Sequence, residues 1–309
     1  MEHRLAIAND YITSNYPVTT VLQICSISSS TYYYNPIEQN IGRSLGRPAS
    51  SFTYKTDGSK HSNDQVLADI IELLNTEFVD YGYAKTTCHL KDNLDYVINS
   101  KKVYRIMSEK QLLNPITSNT KRLKHNWVKD FVPKPIVAFT YFEFDIKYIY
   151  VAGKKSNAQV LTVLDVYSRW VLGQYIAWDI THKNVIELFD GIFKKFKLPE
   201  KFFVRCDNGS QFAAYATQKY FENKNVDQEF TRPATPEQNA HIESYHSIVE
   251  NIICQKYEIK DIVELKNIMI RFQNFYNFVR IHSGSENMSP NKFLLRKGIN
   301  MEAHMLQTE

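Results

Sequence analysis

The chain of 309 residues is 43% hydrophobic and 13% aromatic, enough apolar material to core about two domains, and no apolar run approaches the 18 residues of a membrane span. Formal net charge is only +4, so any affinity for a polyanion must come from how charge is distributed. Four cysteines, Cys25, Cys88, Cys206 and Cys254, stand far apart without a C-x-x-C pair, which excludes a zinc ribbon and fits free thiols in a reducing, cytoplasmic setting.

In chain order, "YPVTTVLQICSISSSTYYYN" reads as short helices, with Thr19 or Thr20 capping one and a serine of "SISSS" capping the next. Residues 36–60 are rich in Gly, Ser and Pro and read as a linker. "SNDQVLADIIELLNTEF" spaces Val66, Ile70, Ile71 and Leu74 as one helical face behind a Ser62 or Asn63 cap. "YGYAKTTCHLK" and "NSKKVYRIMSEKQLL" give two further helices. The last starts at Asn99-Ser100 and carries Lys101, Lys102, Arg105 and Lys110 on its polar side. Three short helices with a basic third outline a helix-turn-helix, though any small bundle would look similar. From Lys101 to Lys134 nine Lys/Arg face two acids, whereas 51–100 holds four basic and eight acidic residues. Such a block suits a polyanion, or a solvated linker.

Beyond residue 134 the period changes. "VAFTYFEFDIKYIYV" alternates as a strand, and "AQVLTVLDVYSRWVLGQYIAW" as two strands broken near Tyr167-Ser168. A helix over "HKNVIELFDGIFKKFK", a strand "KFFVRCD", a helix "YATQKYFENKNV" and a strand "DQEFTRP" follow. Two long helices, "TPEQNAHIESYHSIVENIICQKY" and "IVELKNIMIRFQNFYNFVRIH", complete an α/β layer pattern. The expected divisions are a helical segment and linker (1–60), a helix-turn-helix (61–115), a basic linker (116–134), a core (135–300) and a tail (301–309).

Three carboxylates carry the chemical interest. Asp145 alternates with aromatics inside a strand, where a charge is costly unless paired or bound to metal. Asp207 ends a strand in "RCDNGSQF", which reads as an Asx turn by itself. Glu243 opens the first long helix, with 35 residues between it and Asp207. Brought together, their like charges would need a divalent cation, and oxygen-only ligands suit Mg²⁺, or Mn²⁺ in its place. Two such ions support phosphoryl transfer, with Asp145 bridging both and Asp207 and Glu243 each holding one. Asn208 shapes the turn and supports Asp207 from behind. Asp165 and Arg169 read as turn residues, Tyr245 as a packed aromatic, and His241 and His246 as structural or DNA-contacting.

These motifs, in this order and with this spacing, resemble the OrfB-type insertion-sequence transposases of the retroviral-integrase-like superfamily. "FEFDIKYIY", "LDVYSRWVLG", "RCDNGSQF", "TPEQNAHIESYHSIVE" and "YNFVRIHSGSENMSPNKF" carry the likeness in the core. The resemblance implies an RNase H-like core, a mixed five-stranded sheet with helices on both faces, behind a small all-α helix-turn-helix region. It implies Mg²⁺-dependent cleavage and joining of DNA by Asp145, Asp207 and Glu243, and double-stranded DNA as partner. It also implies an upstream OrfA partner or fusion, and a homo-oligomer, at least a dimer, on DNA. Lys101, Lys102, Arg105, Arg280 and His282 are the expected DNA contacts, with packing of the helix end as the equal alternative for Arg280 and His282. Three residues depart from the family pattern: Glu250 replaces a Lys or Arg seven residues after the glutamate, Lys147 a small hydroxyl residue, and Ile281 a proline. The "EQNAHIES" loop also differs from the commoner Gly-Asn-Pro form. An anion at 250, two turns along the helix from Glu243, would repel DNA phosphate. The competing readings are a catalytically degraded DNA-binding repressor and a nuclease of the same fold acting on other nucleic acids.

Overall fold

A computed structural model describes residues 2–33, 49–115, 134–232 and 236–304, and the chain divides into two units, Met1–Ser50 and Ser51–Glu309. The expected basic linker 116–134, save Lys134, lies outside the described residues, as does most of the 36–60 linker.

The first unit holds α1 (Glu2–Thr13), α2 (Val18–Ile24) and α3 (Ser29–Tyr32) around Ala8, Val21, Leu22 and Ile27. Ser28 caps α3 by accepting from the Thr31 amide at 3.1 Å. Thr19 and Thr20 do not cap α2: it starts one turn earlier, behind Pro17, and both threonines lie inside it.

In the second unit, β1 (Phe52–Lys55) and β2 (Lys60–Ser62) form a hairpin where the sequence reads as linker. Asp57 turns it by accepting from the Ser59 amide at 2.8 Å, and Gly58 takes the left-handed φ of +82° that the turn demands. Next come α4 (Asn63–Asn75), α5 (Tyr83–Asp92), β3 (Tyr96–Val97) and α6 (Ser100–Glu109). Ser62 and Gln65 form a reciprocal capping box on α4, and Asn99 caps α6. The region is therefore not all-α. A three-stranded sheet, β2-β1-β3, flanks its helices, whose apolar faces meet at Val66, Ile70, Leu90, Val103 and Ile106.

The core runs β4 (Tyr141–Val151), β5 (Ser156–Asp165), β6 (Val171–Ala177), α7 (His182–Lys195), β7 (Phe202–Cys206), α8 (Ser210–Ala213), α9 (Tyr215–Asn223) and β8 (Val226–Phe230). A 3-10 turn, Pro236–Asn239, leads into α10 (Ala240–Val249), which continues as a π turn, Glu250–Cys254. Then follow α11 (Ile262–Asn274), a second π turn Phe275–Val279, α12 (Pro290–Arg296) and α13 (Met301–His304). The strands order β6-β5-β4-β7-β8, with β6, β5 and β4 antiparallel and β4, β7 and β8 parallel. This mixed five-stranded sheet, covered on both faces, is an RNase H-like fold.

Strand alternation decides which face meets which helix. Phe142 and Phe144 of β4 pack with Phe189 of α7 and Phe212 of α8. Ile149 and Val151 look the other way, onto Ile242 and Tyr245 of α10 and Leu265 of α11. Glu143, Asp145 and Lys147 share that second parity, so β4 presents three charged residues to the α10 side. No helix among the described residues is long and apolar enough to cross a membrane.

Candidate active site

Glu143, which the sequence reading passed over, explains how the site is assembled. It is fully buried at the core of the sheet. Its Oε2 accepts from the backbone amides of His241 at 2.9 Å and Ile242 at 2.8 Å, and Oε1 meets His241 Nδ1 at 2.7 Å. A buried carboxylate thus satisfies the free amides that open α10 and sits against the positive end of its dipole. From β7, the Arg205 guanidinium donates to the Gln238 carbonyl at 3.1 Å, holding the turn before α10. Two strands therefore fix the start of the helix, and Glu243 in its first turn is set beside β4.

Asp145 lies two residues beyond Glu143 on the same face, half-buried, its Oδ1 accepting from the Ile146 amide at 2.8 Å. Burial raises its carboxyl to about 7, and the charges of Asp207, Glu243 and Glu143 push in the same direction. The structure therefore brings the three acids singled out in the sequence into one electrostatic neighbourhood. Asp207 follows β7, exposed, with Oδ1 accepting from the Gly209 amide at 2.9 Å. A Cβ on Gly209 would come within 3.0 Å of that oxygen and 2.4 Å of the Gln211 side-chain amide, so glycine keeps the turn tight against the carboxylate. Asn208 donates to the Thr231 carbonyl at 2.7 Å, tying the turn to the end of β8. The Asx turn and the strand-end carboxylate are one arrangement.

A cleft of about 450 Å³ opens over this edge, lined by Asp145, Lys147, Glu243, His246, Ser247 and Glu250. His246 sits 3.7 Å from Asp145 Oδ2, and burial, with Lys147 nearby, pushes its imidazole down to about 4. Lys147 Nζ donates to Glu250 Oε2 at 2.8 Å, and this bond holds the Glu250 carboxyl below its ordinary value. Two departures from the family pattern are thus one ion pair. Glu250 is not a lone anion set against DNA phosphate, because the strand supplies the cation that the helix lacks. Ile281 is accounted for as well: its amide donates to Tyr81 Oη at 2.9 Å, a bond proline could not make.

Among the described residues, no group of three His, Cys, Asp or Glu side chains forms a ready-made metal cage. The donor chemistry nonetheless fits a hard cation. Three carboxylates act together at one sheet edge, without sulfur, and their mutual repulsion is what a divalent ion relieves.

The other expected site residues are placed differently. Lys101 is exposed on α6, but Lys102 donates to the Phe52 carbonyl, and Arg105 lies 3.7 Å from Glu109. Arg280 is 2% exposed and paired with Asp80, and His282 is 8% exposed, so neither reaches outward from the surface. Tyr245 is buried with its hydroxyl against Gln174 and its ring edge-on to Tyr276, a packing role. Asp165 accepts from the Phe139 and Ser168 amides at 2.9 and 2.8 Å, which makes it a turn residue.

An integrase core domain pattern matches residues 138–236, and a second pattern of the same description matches 224–290. The transposase for insertion sequence element IS904 of Lactococcus lactis subsp. lactis (strain IL1403) is 23% identical over 145 residues, 47% of this chain and 57% of that protein. The chain thus spans little more than half of that relative. The putative transposase InsK for insertion sequence element IS150 of Escherichia coli (strain K12) is 22% identical over 282 residues, 89% of this chain and 92% of that protein. Among solved structures, the HTLV-2 integrase catalytic core domain in complex with magnesium aligns with 52% of this chain and 99% of that one, at TM-score 0.41 and 13% identity. The catalytic core domain of BIV integrase aligns with 52% and 96%, at TM-score 0.40 and 14% identity.

Proposed function

We propose, for a chain that belongs to the insertion-sequence transposases of the retroviral-integrase-like superfamily, that Asp145, Asp207 and Glu243 form the centre that cleaves element-end DNA and joins it to target DNA. The observation that carries this reading is that Asp145 and Glu243 line one cleft while Asp207, at the end of the neighbouring parallel strand β7, lies near enough for its charge to raise the Asp145 carboxyl. Asp145, Asp207 and Glu243 would hold Mg²⁺ or Mn²⁺, which would supply activation of a hydroxyl nucleophile and stabilisation of the leaving oxygen. The chain's own residues position the reacting parts. Glu143 and Arg205 fix Glu243 through the start of α10, and Asn208 and Gly209 hold the Asp207 turn clear of the cleft. Lys147 places a cation at the rim.

Helices α4 to α6 would engage duplex DNA, with exposed Lys101 as a phosphate contact. Pairing two element ends calls for at least a dimer, and an OrfA-type partner encoded upstream would complete the machinery. Terminal repeats and an overlapping upstream frame beside the gene would supply both the substrate and that partner for testing.

The repressor alternative drew its support from Glu250 and the other departures; the Lys147 pair means that Glu250 is not a lone anion, while the departure in the "EQNAHIES" loop stands. The decisive assay is nicking of duplex DNA carrying the flanking terminal sequences, in Mg²⁺ and in Mn²⁺. The wild-type chain should nick, and Asp207→Asn should lose nicking while keeping nearly all binding. Wild-type binding without metal-dependent nicking would favour the repressor, and nicking by Asp207→Asn would overturn the triad.

A further inference from the structure

Helix α10 separates two cavities. One flank carries Glu243, Ser247 and Glu250 toward the carboxylate cleft, while the other carries Ser244 and Ile248 toward a second cavity of about 480 Å³. Lys85 of α5, Arg169 of the β5–β6 turn, Arg280 and His282 also line this second cavity.

Its electrostatics are unbalanced. Arg280 is paired with Asp80, but the ion pairs among the described residues leave out both Lys85 and Arg169. Arg169 spends one guanidinium nitrogen on the Val166 carbonyl, and its remaining edge faces Gly284, whose absent Cβ would stand 3.6 Å from Nε. Arg280 Nε and His282 Nε2 are buried without a partner, on residues 2% and 8% exposed. Half-buried Lys85 and Arg169, with orphaned ring and guanidinium nitrogens around an open volume, make a lining suited to an anion.

We propose that the cavity formed by Lys85, Arg169, Arg280 and His282 holds a backbone phosphate of the same DNA strand that enters the carboxylate cleft on the other flank of α10. The ligand chemistry is a phosphodiester. A helix with its side chains is about 10 Å across, or about three nucleotide rises, so one strand crossing α10 reaches both cavities. The cleft side needs metal to accept a phosphate, whereas this side already carries the positive charge. Burial pushes the Lys85 ammonium down to about 8 and Arg280 adds to it. Burial likewise pushes His282 down to about 3, with Arg280, Lys85 and Arg169 adding to it. Asp80 offsets part of the repulsion that Lys85 feels, and an entering anion would relieve the rest. Arg280 and His282 thus serve DNA from inside a pocket.

The proposal rests on the transposase reading only in taking DNA as the polyanion, and its test does not need cleavage. Binding of the full chain to a duplex oligonucleotide of arbitrary sequence is measured by fluorescence anisotropy across a salt series. Lys85→Gln should weaken binding several-fold and make the slope of log K against log salt shallower by about 0.9, the share of one phosphate contact. Lys85→Arg should restore both. An unchanged slope in a Lys85→Gln protein that melts like wild type overturns the proposal. Should that variant misfold, Arg169→Gln is read in the same way. Calorimetric titration with inorganic phosphate separates the two sources of the anion. Phosphate heat that Lys85→Gln abolishes without changing the DNA slope would assign the cavity to a free anion and overturn the DNA assignment. A reduced slope in a chain that never nicks would leave this site standing and bring down the transposase reading alone.

Discussion

At Asp145, burial and three neighbouring acids favour the protonated form, and the sign of the resulting pH dependence follows directly. The carboxyl is raised from 3.8 to about 7, so the native state holds this proton more tightly than the unfolded chain. Its contribution to stability is therefore full below 3.8 and lost as pH rises through about 7. His246 works the other way: lowered from 6.5 to about 4, it contributes stability above 6.5 that is lost as pH falls through 4. Comparing wild type with Asp145→Asn isolates the first effect. In metal-free buffer above pH 7 the variant should be the more stable, with an upper bound of roughly 4 kcal/mol, and the gain should vanish in acid. Mg²⁺ should stabilise only the wild type, and chemical denaturation across pH, with and without metal, reads both. Glu143→Gln tests the helix anchor, since one amide oxygen and a side-chain NH₂ replace two accepting carboxylate oxygens. A loss of about 1–3 kcal/mol should appear in thermal melts, together with slower nicking at unchanged DNA affinity. Asp145, Asp207 and Glu243 were legible because each breaks an apolar or turn pattern in a recognisable motif. Glu143 breaks the same strand pattern two residues earlier and was missed. Its partners are backbone amides nearly a hundred positions away, and backbone amides carry no signature in sequence.

Among the elements, the bond between β4 and the first π turn is where local patterning misled. Taken alone, Glu250 reads as repulsive and Lys147 as out of place, because alternation in a strand and periodicity in a helix do not reveal which residues will face each other. A double-mutant cycle on Lys147→Ala and Glu250→Ala should give a coupling near 0.5–1 kcal/mol, modest because Glu250 is 47% exposed. Glu250→Ala should tighten DNA binding by freeing the lysine, and Lys147→Ala should loosen it. The β4–β5 turn offers a steric test. A Cβ on Gly153 would sit 2.2 Å from the Lys260 carbonyl, to which the Gly153 amide donates at 3.1 Å. Gly153→Ala should cost about 1–3 kcal/mol in urea unfolding, since backbone has to move. The longer strands and helices were readable from their period, whereas β1, β2 and β3 were not. With four, three and two residues they are too short to alternate, and their Asp57-Gly58 turn sat within a stretch whose composition reads as linker.

For the molecule as a whole, the division at residue 50 predicts that 51–309 folds without the first unit. Its main melting transition should match that of the full chain within about 2 °C, no more than the shift expected from losing about 1 kcal/mol of stability. A mixed five-stranded sheet was legible because the motif series resembles a family that has one, whereas the strand order was not read from the sequence. The tie between the 77–82 turn and the segment after the second π turn was not, because Arg280, Ile281 and Tyr81 read separately as a DNA contact, a departure and an aromatic. The Glu143 anchor has a further consequence, in the order of synthesis. Glu143 leaves the ribosome 98 residues before His241, the amide it must receive, and at about 5–20 residues per second that interval lasts several seconds. Throughout it β4 carries a carboxylate with no helix to accept it, and Glu243 does not yet exist. Glu243, the third acid of the proposed centre, is therefore made only after all five strands of the sheet.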